Sequence, residues 1–194
     1  MNILLHVCCA PCTVFPLRVL REQGYSVTGY FYNPNIHPYT EFRRRLTTLR
    51  DFAALEEFPV TIEERYGLTD YMRQVVFQED RRCATCYTMR LEQAARLAAE
   101  KRLEAFTTTL LYSRYQNHAL IRETGETLAR KYGVAFHYED FRSGWQEGID
   151  QSIALGLYRQ PYCGCIYSEQ ERYDRKMRKE RKNTKQATNE STPC

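Results

Sequence analysis

The sequence lacks any long apolar run. None of its stretches approaches the roughly 18 consecutive apolar residues that a membrane-spanning helix needs. Its first residues, from Met1 to His6, have neither the basic region nor the small-residue cleavage site of a signal peptide. These absences argue against a membrane partner, and we expect a cytoplasmic protein.

Histidine is scarce and is not arranged for metal binding. The four histidines, His6, His37, His118 and His137, are scattered, with no ligand spacing such as H-x-x-x-H. We therefore expect them to be structural or solvated rather than metal ligands. His6 is the exception worth keeping, because it precedes the first cysteine by two residues.

Cysteine, in contrast, is abundant, with eight residues in a chain of 194. Structural disulfides are rare in the cytosol, so this number favours metal binding or redox catalysis. A tetrahedral metal or a cubane cluster needs four soft ligands, and folding can supply them from two separate pairs. The cysteines fall in three groups and one single residue: Cys8, Cys9 and Cys12; Cys83 and Cys86; Cys163 and Cys165; and Cys194.

The charge is mildly positive, with 28 basic and 24 acidic residues and a net charge of +4. Such an excess favours a polyanionic partner without requiring one. Arginines occur together with many of the fifteen tyrosines, a mixture that suits phosphate and base contacts in RNA. The alternative is helices with solvated basic faces. The arginines concerned are Arg43, Arg44, Arg45, Arg81, Arg82 and Arg90.

Short apolar segments alternate with amphipathic helical ones. This alternation predicts an α/β fold, a parallel sheet with helices on both faces, whose ligands bind beyond the carboxyl ends of the strands. We expect one catalytic domain over residues 1–170 and a charged, disordered tail over residues 171–194. The predicted strands are 2–7, 25–32, 60–64, 105–110 and 134–138; the predicted helices are 14–23, 68–77, 84–101, 117–132 and one that begins near Thr40.

Cys8 and Cys9 follow the first predicted strand. On a regular strand they would point to opposite faces, but the turn into Pro11 can direct both towards one centre. The alternative is that they are small residues packed in a buried strand. Cys12 has three open roles: a metal ligand, a thiol next to the ligands, or part of a second metal site.

Cys83 and Cys86 stand at the start of a long predicted helix. Residues three apart share a helix face, and the backbone N–H groups of a helix start favour thiolates. Both sulfurs can therefore reach one metal. Buried helix cysteines and a zinc knuckle are the competing interpretations.

Cys163 and Cys165 flank Gly164. A disulfide between them would close a very small ring that is easily reduced, which suits the transfer of two electrons. Additional metal ligation and inert packing are the alternatives. Cys194 is expected to be an unimportant surface thiol.

The hydroxyls of Thr107–Thr109 and Ser113 are expected near the substrate pocket, because these residues end a predicted strand at its carboxyl end.

Six motifs together resemble one known family, the QueH-type epoxyqueuosine reductases, which complete queuosine in tRNA. The first predicted βαβ unit also looks like the nucleotide-binding folds of tRNA thiolases, so the resemblance implies a Rossmann-like (HUP-type) sheet. CCAPC replaces the Ser-Gly-Gly phosphate loop of those enzymes, so ATP use is not expected. The motifs are HVCCAPC at 6–12, YNPNIHP at 32–38 with Glu41 and Arg45, RCATCYTMRL at 82–91, FTTTLLYS at 106–113, DFR at 140–142 and YRQPYCGCIYS at 158–168.

The resemblance also implies the cofactors and partners. It implies a 4Fe-4S cluster on Cys8, Cys9, Cys83 and Cys86, and a redox-active disulfide between Cys163 and Cys165. It further implies an additional mononuclear iron beside the cluster, for which Cys12 is a candidate ligand. The expected substrate is tRNA carrying epoxyqueuosine, and the electron donor is not identified.

The expected reaction removes the epoxide oxygen as water and consumes two electrons and two protons. We expect an open iron to act as a Lewis acid, the cluster and thiols to supply electrons, and Asp140 or a tyrosine to protonate the leaving oxygen. Two other classes compete. A zinc-stabilised RNA-binding module would use the cysteine pairs as structural ligands, and a thiol-disulfide oxidoreductase would need only Cys163 and Cys165.

Overall fold

The computed structural model describes residues 1–177, in which five strands form one sheet. The strand order is β3-β2-β1-β4-β5, and every neighbouring pair is parallel. The parallel α/β sheet predicted from the sequence is therefore confirmed. The strands are β1 (Asn2–His6), β2 (Ser26–Phe31), β3 (Val60–Ile62), β4 (Ala105–Thr108) and β5 (Ala135–Phe136).

Helices flank the sheet. The first and sixth helices pack against each other, as do the fourth and fifth. No helix in residues 1–177 is both long enough and apolar enough to span a membrane. The helices are α1 (Ala10–Glu22), α2 (Tyr39–Leu55), α3 (Leu68–Val75), α4 (Arg82–Glu100), α5 (His118–Tyr132), α6 (Trp145–Ala154) and α7 (Ile166–Tyr173), with short 3-10 helices at Glu79–Arg81, Thr109–Tyr112 and Phe141–Gly144.

Local chemistry explains where several elements begin and end. Asn117 caps α5 by accepting a hydrogen bond from the Leu120 backbone N–H at 3.1 Å, and Gly133 ends the helix with φ 67°. Helix α1 begins at Ala10, four residues before the predicted Val14, because Pro11 is well suited to a first turn. Helix α2 begins after Pro38, so Thr40 is not its cap.

The sheet fixes the place of the site. Strand β1 is central, with His6 level with Tyr30 of β2 on one side and with Thr108 of β4 on the other. The chain leaves β1 and β4 at the same edge, and in doubly wound sheets ligands bind at that edge where the winding direction changes. The predicted boundary at residue 170 stays a prediction, and the expectations for residues 178–194, including Cys194, fall outside the described residues.

Candidate active site

Three cysteines converge just beyond the carboxyl end of β1. The sulfurs of Cys8, Cys9 and Cys12 all lie within 4.8 Å of one another, and the Cys8 and Cys9 sulfurs are 3.7 Å apart. Cys9 is the extended residue that precedes α1, and Cys12 lies in the first turn of that helix. The turn therefore directs both neighbouring thiols to one centre, as predicted. The group could hold a metal ion.

Electrostatics within this group favour one thiolate. Hydrogen bonds from the Cys12 and Cys9 thiols hold the pKa of Cys8 well below its usual range, and the Arg90 guanidinium acts in the same direction. Burial raises the pKa of Cys9, and hydrogen bonding to Cys8 raises that of Cys12. The Cys8 backbone N–H donates to the Thr109 hydroxyl at 3.0 Å, which ties β1 to the end of β4.

Gln160 covers the same group from a distant part of the chain. Its side-chain N–H donates to the Cys9 sulfur at 2.8 Å and to the Cys12 sulfur at 3.4 Å. Its Oε1 atom is buried and accepts no hydrogen bond from the part of the chain that the structure describes. The loop before the C-x-C pair therefore contacts the first cysteine group directly.

The second cysteine group lines a small cavity of about 20 Å³. Cys83 and Cys86 both contribute to it from the start of α4, so they share a face as predicted. Cys163 and Cys165 line it as well. Burial raises the pKa of Cys86 to about 11, although nearby Arg90 opposes this shift. Cysteines from two motifs about eighty residues apart thus meet in one place.

The two cysteines of the C-x-C pair differ in exposure. Cys163 is exposed and its thiol donates to Ser168 Oγ at 3.0 Å. Cys165 is buried, and the Tyr71 hydroxyl donates to its sulfur at 3.1 Å. Both are free thiols in the structure, and burial raises the pKa of Cys165. Their redox role stays a prediction.

A larger cavity of about 540 Å³ lies against the first group. Its size falls in the range of roughly 300–1,000 Å³ typical of small-molecule sites. Cys8, Cys12 and Cys163 line it, and it shares Gln116, Cys163 and Ser168 with the small cavity. All three cysteine motifs therefore border two adjoining cavities. A four-ligand set of Cys8, Cys9, Cys83 and Cys86 stays a prediction. The larger cavity is also lined by Thr109, Tyr112, Ser113, Tyr115, Trp145, Arg159 and Arg172.

Two arginines expected on basic surfaces are instead buried at the site. Arg90 is 2% exposed, and its Nη1 lies 3.7 Å from the Cys86 sulfur. Arg45 is likewise 2% exposed and pairs with Glu41 at 2.7 Å. These two side chains are not available to contact RNA phosphates. Sequence reasoning missed their roles because charge patterns do not reveal burial.

Asp140 does not line either cavity. Its carboxylate pairs with Arg142, caps the short helix that follows it, and is 41% exposed. Hydrogen bonding to Arg142 lowers its pKa to about 2, so it carries no proton at neutral pH. Its role as a proton donor stays a prediction.

The histidine before the cysteine group does not point a free nitrogen at it. His6 Nε2 lies 3.2 Å from the Tyr32 carbonyl, and Nδ1 lies 2.9 Å from the Thr108 hydroxyl. Since a carbonyl only accepts, Nε2 carries the hydrogen and Nδ1 accepts from Thr108. Burial lowers the pKa of His6 to about 3, so the ring is neutral. The thiols, not His6, supply the site's soft donors.

Other residues of the site were not singled out from the sequence. Gln160, Tyr71 and Trp145 contact the thiols or line the cavity, yet none belongs to a ligand-type spacing. Gln160 lies inside the YRQPYCGC motif, which is the one feature that could have indicated it. Of the hydroxyl residues expected near the substrate pocket, Thr109 and Ser113, which follow β4, line the larger cavity, whereas Thr107 and Thr108 line neither cavity.

Comparisons with known proteins agree on one family. A family model described as epoxyqueuosine reductase QueH matches residues 3–171. The protein of that name from Dehalococcoides mccartyi is 41% identical over 172 residues, covering 89% of this chain and 94% of the relative. The one from Thermotoga maritima is 35% identical over 187 residues, covering 90% and 93%.

A solved structure shares the fold at much lower identity. It is described as a predicted subunit of a tRNA methyltransferase from Methanocaldococcus jannaschii. The TM-score is 0.54 at 9% identity, over 79% of this chain and 74% of the other. This likeness supports the α/β fold alone.

Proposed function

The chain belongs to the QueH family of epoxyqueuosine reductases, and we propose that it reduces epoxyqueuosine in tRNA to queuosine. The observation that carries the proposal is the larger cavity, in which Cys8, Cys12 and Cys163 come together from two distant motifs. A cavity that a modified base can enter, with thiols in its wall, suits reductive chemistry on that base.

We assign a 4Fe-4S cluster to Cys8, Cys9, Cys83 and Cys86, with Cys12 as a ligand of an additional mononuclear iron. The charge of Arg90 supports this assignment. It is buried, and within residues 1–177 its Nε has no hydrogen-bond partner and no carboxylate forms a salt bridge with it. A buried cation needs an anionic neighbour, and thiolates with a cluster supply one. When bound, these groups would supply electrons and an open iron position for the epoxide oxygen.

The C-x-C pair can supply the two electrons and two protons that the reaction consumes. Oxidation of the Cys163 and Cys165 thiols to a disulfide releases two electrons and two protons. The epoxide takes up these electrons and protons. Its two C–O bonds then break, the alkene forms, and the oxygen leaves as water. Cys163 lines the substrate cavity and Cys165 lies behind it. An external reductant of unidentified nature then restores the dithiol.

We propose that Tyr112, rather than Asp140, delivers a proton to the leaving oxygen. Tyr112 lines the larger cavity, and burial raises its pKa, so it keeps its proton at neutral pH. To act as the donor, its hydroxyl exchanges its hydrogen bond to the Trp145 carbonyl for one to the epoxide oxygen. Asp140 is ionised and lies outside the lining. The same proposal includes three further points: a HUP-type relationship of the fold, a cytoplasmic location, and tRNA as the partner.

An anaerobic, reductant-driven assay on epoxyqueuosine-containing tRNA tests the function. We expect queuosine to form with the purified protein. Cys8→Ala or Cys86→Ala should abolish both the product and the brown colour of the iron-sulfur cluster. Exposed Cys163→Ala should abolish the product and leave the colour.

The same assay separates the competing functions. A colourless protein that holds only zinc and forms no queuosine would be a structural RNA-binding module. Disulfide reductase activity that survives in Cys86→Ala would indicate a thiol-disulfide oxidoreductase. Either result would overturn the proposed function.

A further inference from the structure

One wall of the larger cavity is aromatic. Tyr112 and Trp145 stack with ring centroids 5.2 Å apart, and the Tyr112 hydroxyl donates to the Trp145 carbonyl at 2.8 Å. Gly148 makes this packing possible, because a Cβ there would lie 2.4 Å from the Tyr112 hydroxyl. The Tyr112–Trp145 pair is therefore held rigidly between the 3-10 helix after β4 and α6.

Tyr115 adds an open ring to this wall. It meets Trp145 edge-on, with centroids 5.7 Å apart and planes at 79°, and it is 65% exposed. Tyr112 is 3% exposed, and the Arg114 guanidinium lies 5.7 Å from the centre of the Trp145 ring. Of the three rings, Tyr115 thus offers the most free surface to a ligand. An exposed aromatic ring in the lining of a cavity can serve as a platform on which a base stacks.

Two arginines of the cavity lining have no hydrogen-bond or ion-pair partner among residues 1–177. Arg159 and Arg172 both line the cavity and are exposed, and neither forms a hydrogen bond or salt bridge within the described residues. The acidic residue in the lining, Glu171, is already ion-paired with Arg82. The cavity lining therefore has exposed cationic groups that can bind phosphates.

We propose that Tyr115 stacks on the base of the target nucleotide while Arg159 and Arg172 contact its flanking phosphates. The inference rests on the proposed function and names how the substrate is held. Cys8, Cys12 and Cys163 line the same cavity as Tyr115, so a base that stacks on Tyr115 shares this cavity with the thiols. The nucleotide must leave its own stack to enter, and Tyr115 replaces the lost stacking.

Tyr115→Leu tests the platform by equilibrium binding and by turnover with epoxyqueuosine-containing tRNA. We expect Kd to rise at least about fivefold, as for the loss of one stacked base, with kcat at saturating tRNA little changed. Tyr115→Phe keeps the ring and should bind like the wild type. Tyr39→Leu is the matched control, since Tyr39 is 54% exposed, packs edge-on against Tyr66 and lies outside the cavity lining.

Salt dependence tests the arginines. Arg159→Ala and Arg172→Ala should each weaken binding and reduce the slope of log Kd against log salt by about one, the value for one phosphate contact. Arg73→Ala, an exposed arginine of α3 outside the lining, should leave the slope unchanged.

The outcomes distinguish this inference from the proposed function. If the wild type binds the tRNA and forms no queuosine, the proposed function fails, and the binding data still test the platform. If Tyr115→Leu binds as tightly as the wild type, or Tyr115→Phe as weakly as Tyr115→Leu, stacking is refuted. Unchanged salt slopes in both arginine variants would refute the phosphate contacts.

Discussion

The guanidinium of Arg45 donates a 3.0 Å hydrogen bond to the backbone carbonyl of Cys163. A second Nη group donates to the Tyr162 carbonyl at 3.0 Å, and Nε pairs with Glu41 at 2.7 Å. Glu41 in turn accepts from the Tyr158 hydroxyl at 2.6 Å. A buried ion pair on α2 therefore anchors the loop that carries the C-x-C motif at Tyr158 and at Tyr162–Cys163.

Arg45→Gln should destabilise the protein and loosen this loop. The change leaves Glu41, which is 8% exposed, as a buried charge without its cation, at a cost of roughly 3–5 kcal/mol. We expect a lower free energy of unfolding in urea under reducing, anaerobic conditions. Alkylation of buried Cys165 should also become faster.

Arg43→Gln is the control for this prediction. Arg43 lies on the same helix but is exposed, so its replacement should change stability by no more than about 0.5 kcal/mol. Equal unfolding curves for the two variants would show that Arg45 does not anchor the loop.

The sequence was sufficient to predict the sheet and the meeting of the first cysteines. Alternating apolar strands and amphipathic helices specify parallel βαβ units, and parallel strands end at one edge. Cys8 and Cys9 come directly after β1, and Thr109 comes directly after β4. Because β1 and β4 are neighbouring strands, the topology places Thr109 close to these cysteines.

The buried arginines and one helix could not be predicted in the same way. The charge pattern alone does not separate Arg45 from Arg43 and Arg44, because its burial depends on contacts with loop carbonyls that include Cys163, 118 residues away. Helix α6 was missed because Gly148 is a poor helix residue in its middle, yet the close approach of Tyr112 leaves no room for a side chain there.

Arg90→Gln should make the proposed cluster harder to reduce. The variant removes a buried positive charge near the Cys86 and Cys8 sulfurs, and reduction adds a negative charge to the same place. We expect the midpoint potential to fall by on the order of 60 mV, equivalent to a tenfold change in a one-electron equilibrium. An anaerobic spectroelectrochemical titration measures it.

Two further variants locate the source of that shift. Arg90→Lys keeps the charge and should retain most of the wild-type potential, whereas Arg96→Gln, exposed on the same helix, should have no effect. A wild-type potential in Arg90→Gln, at full cluster content, would mean that Arg90 does not compensate the cluster's charge.

Tyr112→Phe and Asp140→Asn separate the two candidate proton donors. Loss of a general acid typically costs about 10²- to 10⁴-fold in rate. We expect a loss of this order in Tyr112→Phe with unchanged cluster absorbance. Asp140→Asn should stay close to wild-type turnover, because the Asp140 carboxyl is ionised, with a pKa of about 2, and lies outside the cavity lining.

A large loss of turnover in Asp140→Asn, with wild-type turnover in Tyr112→Phe, would instead identify Asp140 as the donor. Tyr112→Phe also leaves the Trp145 carbonyl without its hydrogen bond, so tRNA binding must be measured in parallel. A rate loss explained entirely by weaker binding would remove Tyr112 from proton transfer.

Gln160→Glu should weaken metal binding at the first cysteine group. The wild-type amide donates hydrogen bonds to the Cys9 and Cys12 sulfurs, whereas a carboxylate would place a negative charge against the thiolates that hold the metal. Partners of metal ligands typically contribute about 10- to 100-fold in affinity, so iron should be lost to a chelator at least about tenfold more readily. Gln146→Glu is the control, because Gln146 is exposed on α6 and contacts Asp150. Equal iron loss from both variants would show that the Gln160 amide contributes nothing to holding the metal.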